Sequence, residues 1–359
     1  MKIAIITDTH AGARSDHPAF NEYFIKFYEN LFFPYIKEND IRTVLHLGDV
    51  FDRRKYVNFN TLRSWQERVF KPLNSLVDQM DILIGNHDTY FKNTNLVNSV
   101  ESLLTQYDKF KIHTSPAEVN IHGLNVLYLP WICEDNVEQS KKMISESKSQ
   151  VCMGHLELMG FEMNAGHLNA DKGLSPELFD KFFMTLTGHF HHKSSKGGIH
   201  YLGSPYPIYW NDWGDIRGFH ILDTETLDLT FIENPAQMFA KIFYDDSKET
   251  FASLVNKDYS HLTGMFVKII VQNKTNPYWF DQFNEALQKV NPVDISIVEA
   301  SFDSGEIQDD ALDETKDTLT ILQEYVKSMS LQTHEPELLT LFSELYVEAL
   351  NAADQIQGS

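Results

Sequence analysis

Five short apolar runs in this chain stop abruptly at a small residue and then present carboxylate, carboxamide or imidazole side chains. They are Ile5-Ile6-Thr7-Asp8-Thr9-His10, Leu47-Gly48-Asp49-Val50-Phe51-Asp52, Ile84-Gly85-Asn86-His87-Asp88, Val151-Cys152-Met153-Gly154-His155 and Leu186-Thr187-Gly188-His189-Phe190-His191-His192. Runs of this length, closed by a turn residue, read as buried β-strands. Five strand ends that all finish in metal-type donors point to a sheet architecture that gathers those ends around metal.

The segments between the runs supply the rest of a layered α/β design. Phe20, Phe24, Phe27, Leu31 and Tyr35 fall at helical spacing within about 18–37, and Leu62, Trp65, Val69, Leu73 and Leu76 do so within about 61–78. Pro72 is expected to kink or divide the second helix. Further helices are expected over 94–105 and 137–148, and another beginning at Ser175-Pro176-Glu177, with Ser as cap and Pro in the first turn. Later strands over 199–202, 218–222 and 227–232 follow one another without helices, so part of the sheet is expected to be antiparallel. Near Asn234-Pro235 the pattern changes to a smaller α/β module with strands at 239–244, 265–271 and 294–298 and a helix at 277–289.

Charge separates the tail from the body. Residues 1–240 carry 22 Lys/Arg against 30 Asp/Glu, and residues 241–359 carry 8 against 21, which places most of the net charge of −21 in the last third. That balance argues against a passive basic nucleic-acid binder. Bound divalent cations would offset several acids of the first part. Asp303–Asp317 holds seven acids and one Lys, the composition of a solvated linker. Two amphipathic helices are expected to follow, one carrying Leu312, Leu319, Leu322, Val326 and Met329, the other Leu338, Phe342, Leu345 and Ala349 with Leu341 and Tyr346 alongside. No apolar stretch approaches the ~20 residues of a bilayer span. Two cysteines, Cys133 and Cys152, give no disulfide framework and fit a reducing compartment.

Donor chemistry narrows the metal. In Asp8-x-His10 the two side chains point to one side of an extended chain. Asp49 follows Gly48, where the backbone can turn sharply, and its two oxygens allow it to bridge two ions. Mixed Asp, Asn and His donors suit manganese, iron or zinc and not calcium. Two ions ~3.5–4 Å apart can generate a hydroxide and clamp the entering and leaving oxygens of a phosphate ester. His46, between Leu45 and Leu47, is more simply a satisfied core histidine, and His192 a solvent-facing neighbour. The Arg53-Arg54-Lys55 triplet adjoins the centre and is a candidate for phosphate contact. Lys193, Lys196 and Arg217 are candidates for the same positive rim. Tyr206, Tyr209, Trp210 and Trp213 are candidates for stacking on bases, with ordinary packing the simpler expectation.

The set Asp8-x-His10, Gly48-Asp49-x-x-Asp52, Gly85-Asn86-His87-Asp88, Gly154-His155 and Gly188-His189-x-His191 resembles the calcineurin-like metallophosphoesterase superfamily over residues 1 to about 235. Leu129-Pro130-Trp131, Tyr201-Leu202-Gly203-Ser204-Pro205 and Arg217-Gly218-Phe219 resemble its SbcD-type branch of DNA double-strand-break repair nucleases, and the overall layout is similar to the nuclease subunits of phage recombination endonucleases. The fold so implied is an α/β (α+β) layered sandwich, with helices flanking two mixed sheets. A small α/β capping domain and a C-terminal helical hairpin follow. The implied division is a nuclease domain at 1–235, a DNA-binding capping domain at 236–301, an acidic linker at 302–312 and C-terminal docking helices at 313–359.

The resemblance also implies roles. Asp8, His10 and His191 would hold one metal, Asn86, His155 and His189 the other, and Asp49 would bridge. His87 would face the scissile phosphate as general acid, oriented by Asp52 or Asp88. The cofactors would be two Mn2+, with Mg2+ as a substitute. The activity would be 3′→5′ exonuclease on duplex ends, together with single-strand endonuclease, on DNA contacted by Arg53, Arg54 and Lys55. The resemblance implies an SbcC-type, SMC-like ATPase as partner; no phosphate-binding glycine loop occurs in this sequence, so any ATPase activity would come from that partner. A homodimer would form through the aromatic-rich helices around Phe20, Phe24, Phe27, Phe32 and Phe33, and the setting would be cytoplasmic. A phosphomonoesterase or protein phosphatase would use the same centre. Against it, Arg54 stands where that family has Gly and Asp88 where it has Glu. A non-catalytic scaffold would show missing ligands, and none is missing.

Overall fold

Alternation along the strands decides how the layers stack. Ile3 and Ile5 point one way, Ala4 and Ile6 the other, and all four are buried. A strand buried on both faces must lie between two layers. The computed structural model, which describes residues 1–299 except 165, 166 and 171, shows what those layers are.

The first sheet has six strands in the order Leu229–Glu233, Gly218–Asp223, Lys2–Ile6, Thr43–His46, Gln79–Leu83 and Phe110–His113. The last four run parallel, and the first two are antiparallel additions at one edge. The second sheet orders Ser194–Lys196, Ile199–Tyr201, Met184–Gly188, Val151–His155, Leu124–Leu129 and Ala117–Ile121, with parallel pairing through its centre and an antiparallel strand at each edge. The sheets pack face to face through Ile3, Ile5, Leu45 and Leu83 against Val126, Tyr128, Met153 and Leu186. Helices cover the outer face of the first sheet through Phe20, Phe24, Phe32, Trp65 and Val69. The helix Val137–Glu146 and the turn Pro176–Phe179 cover the outer face of the second. This is the α/β sandwich expected, and it sets the parallel strands of both sheets with their C-terminal ends on one edge.

The two long helices follow their sequence periods with one refinement. Each contains a wide π-type turn, Tyr28–Phe32 and Gln66–Phe70, just before a proline, Pro34 and Pro72. Proline lacks the N–H that the helix ladder needs, and a local i→i−5 register absorbs the loss without breaking the rod. The expected helix at 94–105 is shorter. It spans Ser99–Leu104, because the Asn98 side chain accepts the Glu101 N–H at 2.7 Å and starts the helix there.

A third sheet orders Phe239–Asp245, Phe266–Asn273 and Asp294–Glu299, all parallel, with the helices Phe251–Val255 and Pro277–Gln288 enclosing a core of its own around Tyr244, Ile269 and Phe283. Phe239 and Phe266 also join the core cluster of the first sheet and its helices. The expected linker and C-terminal helices lie outside the described residues.

Candidate metal centre

The five donor-bearing strand ends meet on that shared edge. From the first sheet come Asp8 and His10, then Asp49 and Asp52, then Asn86, His87 and Asp88. From the second come His155 and, beyond Gly188, His189 and His191. Four of these residues, Asp8 (φ 53°), His10 (φ 43°), Asp49 (φ 56°) and His189 (φ 89°), are non-glycine residues in left-handed backbone. Such conformations cost free energy and cluster where side chains must be aimed.

Glycines provide the room. A Cβ on Gly85 would lie 2.1 Å from Asp49 Oδ1 and 2.3 Å from its backbone nitrogen. One on Gly188 would lie 2.0 Å from Thr7 Oγ1. The two sheets can bring their ligand loops this close only because those positions have no side chain.

The donors form two groups. Asn86 Oδ1 lies 2.9 Å from both His155 Nε2 and His189 Nδ1. His191 Nε2 lies 3.0 Å from His10 Nε2, and Asp8, His10 and His191 form a compact donor set. Asp49 sits between the groups. Its Oδ1 accepts the His87 N–H at 2.8 Å, while Oδ2 faces His155 Nε2 at 3.3 Å and His10 Nε2 at 3.7 Å. Asp49, His155 and His189 also converge closely enough to hold an ion, as do His10, Asp49 and His87.

Neighbouring groups fix the orientation of these side chains. The Leu47 carbonyl accepts from His155 Nδ1 at 2.8 Å, which turns Nε2 toward Asn86 and Asp49. His10 Nδ1 lies 3.4 Å from Asp52 Oδ1. Asp8 accepts from Thr7 Oγ at 2.7 Å and from the His189 N–H at 3.0 and 3.1 Å.

Electrostatics test whether cations fit. Burial opposes charge on His10, yet the Asp52 carboxylate beside it and the fields of Asp49 and Asp8 push it up to about 10. Burial likewise opposes charge on His155, and Asp49 and Asp8 push it up to about 9. Burial also works against Asp49, but His155, His87 and His10 hold it well below the usual carboxylate range. The metal-free pocket therefore recruits protons as cations. His189 is pushed down to about 3 by burial and then by His155, and His191 well below its usual value by burial, His10 and Arg217, so both keep lone pairs. A buried set of carboxylate, carboxamide and neutral imidazole donors that attracts positive charge fits divalent transition ions.

His87 Nδ1 is 2.6 Å from the main-chain carbonyl of Asp52, which leaves Nε2 as its available atom. The carboxylates proposed from the sequence to orient it are used elsewhere. Asp52 faces His10, and Asp88 accepts four backbone N–H groups, those of Asp49, Val50, Phe51 and Gly85, at 2.9 to 3.1 Å. Asp88 thus ties the Asp49 loop to the Asn86 loop. No sequence signal marks a backbone carbonyl as the partner of His87.

The basic triplet borders the centre unevenly. Arg54 is half-buried and donates to Thr89 Oγ at 3.1 Å, beside Asp88. Arg53 pairs with Asp16 at 3.6 Å and donates to Tyr56 Oη at 2.8 Å. Lys55 is exposed, with its Nζ 6.0 Å from the Tyr90 ring. Arg217 does not belong to a positive rim. It is buried between Asp212 and Asp215 at 2.6 and 2.9 Å. Tyr206 is fully buried and stacked on Phe24, so it is core and not a base platform. His192 bonds Asp215 at 2.8 Å, outside the donor groups. His46 is the satisfied core residue expected, bonded to Thr9 Oγ1 and Gly48 N, and burial pushes it down to about 3. Trp131, whose ring centroid is 5.1 Å from that of His189, flanks the centre without having been singled out as a site residue.

Two donor groups sharing one carboxylate, on the common strand edge of two face-packed sheets, define a metal-dependent phosphoester hydrolase. The chain belongs to the calcineurin-like phosphoesterase family, whose pattern matches residues 1–217. Among characterised proteins it is similar to "Exonuclease subunit 1" of Enterobacteria phage T4, at 29% identity over 97% of this chain and 99% of that one. Among solved structures, an archaeal phosphodiesterase aligns with a TM-score of 0.32 and 14% identity, covering 65% of this chain and 100% of that chain. A purple acid phosphatase from yellow lupin (Lupinus luteus) seeds aligns with a TM-score of 0.35 and 14% identity over 54% of this chain and 38% of its own.

Proposed function

We propose that this chain is a dimetal DNA nuclease, a 3′→5′ exonuclease on duplex ends with single-strand endonuclease activity. The observation that carries this reading beyond phosphoester hydrolysis is the end-to-end match to an exonuclease subunit, which continues past the phosphoesterase region through the third sheet and the tail. The donor geometry supports the chemistry. Asp8, His10 and His191 would hold one ion, Asn86, His155 and His189 the other, and Asp49 both. Manganese suits this donor set, with magnesium as a substitute. When bound, the ions would supply Lewis-acid polarisation of the phosphodiester and activation of water.

The chain's own residues do the rest. His87, held through Nδ1 by the Asp52 carbonyl, presents Nε2 to donate a proton to the leaving 3′-oxygen. Asp52 positions His10, and Asp88 positions the Asp49 and Asn86 loops. Arg54 and Lys55 meet the DNA backbone on the rim, with Arg53 beside them. The third sheet, within 236–301, caps the nuclease domain of residues 1–235 and contributes to DNA binding. The acidic segment 302–312 and residues 313–359 dock an SMC-like ATPase that controls DNA access, in the host cytoplasm.

The dimer surface moves. Phe20, Phe24, Phe27 and Phe32 are core residues and cannot meet a second copy. Among the large apolar side chains left exposed across the described residues, Phe59 at 87% and Leu96 at 79% are the most exposed, and the proposed dimer surface lies on their segments, 56–59 and 90–97.

The test compares end-labelled linear duplex DNA with p-nitrophenyl phosphate, each with manganese, magnesium or chelator. Manganese-dependent shortening from 3′ ends with little monoester turnover is expected. Fast monoester turnover with intact DNA would replace this reading with a phosphatase.

A further inference from the structure

Residues 203–217 contribute no metal donor, yet they hold one from several sides. The main-chain carbonyl of His191 accepts the Ser204 N–H at 3.1 Å and a guanidinium N–H of Arg217. Gly203 has φ 74°, and a Cβ there would lie 2.7 Å from that same carbonyl. The Tyr209 ring lies nearly parallel to the His191 imidazole, at 9° and 6.1 Å between centroids. His192 is tied to Asp215 at 2.8 Å.

Arg217 joins these contacts. Besides the His191 carbonyl it binds Ser204 Oγ at 2.7 Å, Asp212 at 2.6 Å and Asp215 at 2.9 Å. Asp212 in turn accepts the N–H groups of Ile208 and Tyr209 at 2.7 and 3.0 Å, which shapes the turn bearing Tyr209. A buried, charged network of this kind is weak evidence for stability, because desolvation offsets most of its attraction. What it does supply is fixed geometry around one carbonyl.

The outer end of the same turn is gripped by the third sheet. Lys268 Nζ lies 4.5 Å from the Trp210 ring centre, and Lys241 Nζ lies 4.6 Å from that of Trp213. The two lysines are register partners on adjacent strands. Phe239 of that sheet packs on Trp210 at 4.6 Å. In the other donor group, the Leu47 carbonyl orients His155, and Asn86 Oδ1 lies between the two imidazoles.

We propose that residues 203–217 are a positioning element that couples the third sheet to the Asp8–His10–His191 metal group, with Arg217 as the positioning residue. Displacement of the third sheet then changes the affinity of one ion and spares the other. This deepens the dimetal reading above and rests on it. It makes the third sheet a regulator of one half of the centre, and any partner or substrate that moves the sheet acts through His191.

The test is manganese titration of the full chain by calorimetry, with His191→Ala and His155→Ala marking which ion is which. In Arg217→Met, the ion lost in His191→Ala is expected to bind at least tenfold more weakly, while the other is unchanged. Arg217→Lys should recover part of the loss. The double variant Lys241→Met/Lys268→Met leaves the buried network intact and carries the test if Arg217→Met does not fold. It should weaken the same ion by a smaller factor, and adding it to His191→Ala should have no further effect. Equal weakening of both ions, or no change in the lysine double variant, overturns the proposal and leaves the dimetal reading standing. A wild-type chain that takes up no manganese overturns both.

Discussion

Metal uptake by this centre should expel protons, first from His10 and His155. Before an ion binds, the surrounding carboxylates outweigh burial and push His10 up to about 10 and His155 up to about 9. Both are therefore protonated at neutral pH, while the depressed His189 and His191 are not. A metal takes only the neutral imidazole. At 1.36 kcal/mol per pH unit, displacing these protons at pH 7 costs ~3 kcal/mol at His155 and ~4 kcal/mol at His10. Since the raised values belong to the metal-free state, affinity should climb as pH rises and level off only above about 9–10. Each ion should gain roughly tenfold per pH unit below that range. The assay is manganese calorimetry in two buffers of different ionisation enthalpy, whose difference in heat counts the protons released. Close to two protons for two ions at pH 7 is expected. No proton release, or an affinity that stays flat between about pH 6.5 and 8.5, would refute the argument that buried carboxylates hold these histidines charged.

His87→Ala should keep both ions and lose about 10²–10⁴-fold in cleavage, because a general acid is removed and no ligand is. Loss of an ion, measured by metal analysis, would instead make His87 a ligand. Gly85→Ala places a methyl 2.1 Å from Asp49 Oδ1 and should weaken both ions together, since Asp49 faces both groups. A titration in which only one ion suffers would contradict the shared carboxylate. Phe59→Lys with Leu96→Lys should convert a dimer to a monomer in sedimentation without lowering the melting temperature, as both side chains are largely exposed. An unchanged sedimentation coefficient would place the interface elsewhere or show a chain that does not pair with itself.

The sandwich was legible because its central strands are apolar on both faces and its helices keep period. Ile3 to Ile6 and Val151 to Met153 could hardly be anything but central strands, and the donors that follow them had to share an edge once the strands were parallel. The edge strands were harder. Ser194–Lys196 is three polar residues and Ala117–Ile121 alternates over only five, with one partner strand each, so no apolar run marks either. The partners of the imidazoles were invisible for a different reason. The Leu47 and Asp52 carbonyls that orient His155 and His87 are backbone atoms, which every residue has. The aromatics near the N-terminus read as a surplus only while the turn bearing Tyr206 and the strand bearing Phe219 were not known to pack against them. Both do, at 4.0 Å from Phe24 and 4.9 Å from Phe32.

The left-handed backbone at Asp8, His10, Asp49 and His189 bears on how such a chain can be altered in the laboratory. Each of these residues would be relieved by glycine, at a gain of ~1–3 kcal/mol in backbone energy. A library screened for heat resistance alone would therefore drift toward glycine at the four positions that aim the donors. The thermostable winners would be empty sandwiches, and selection has to be run in the presence of the ion to keep the centre in the gene pool.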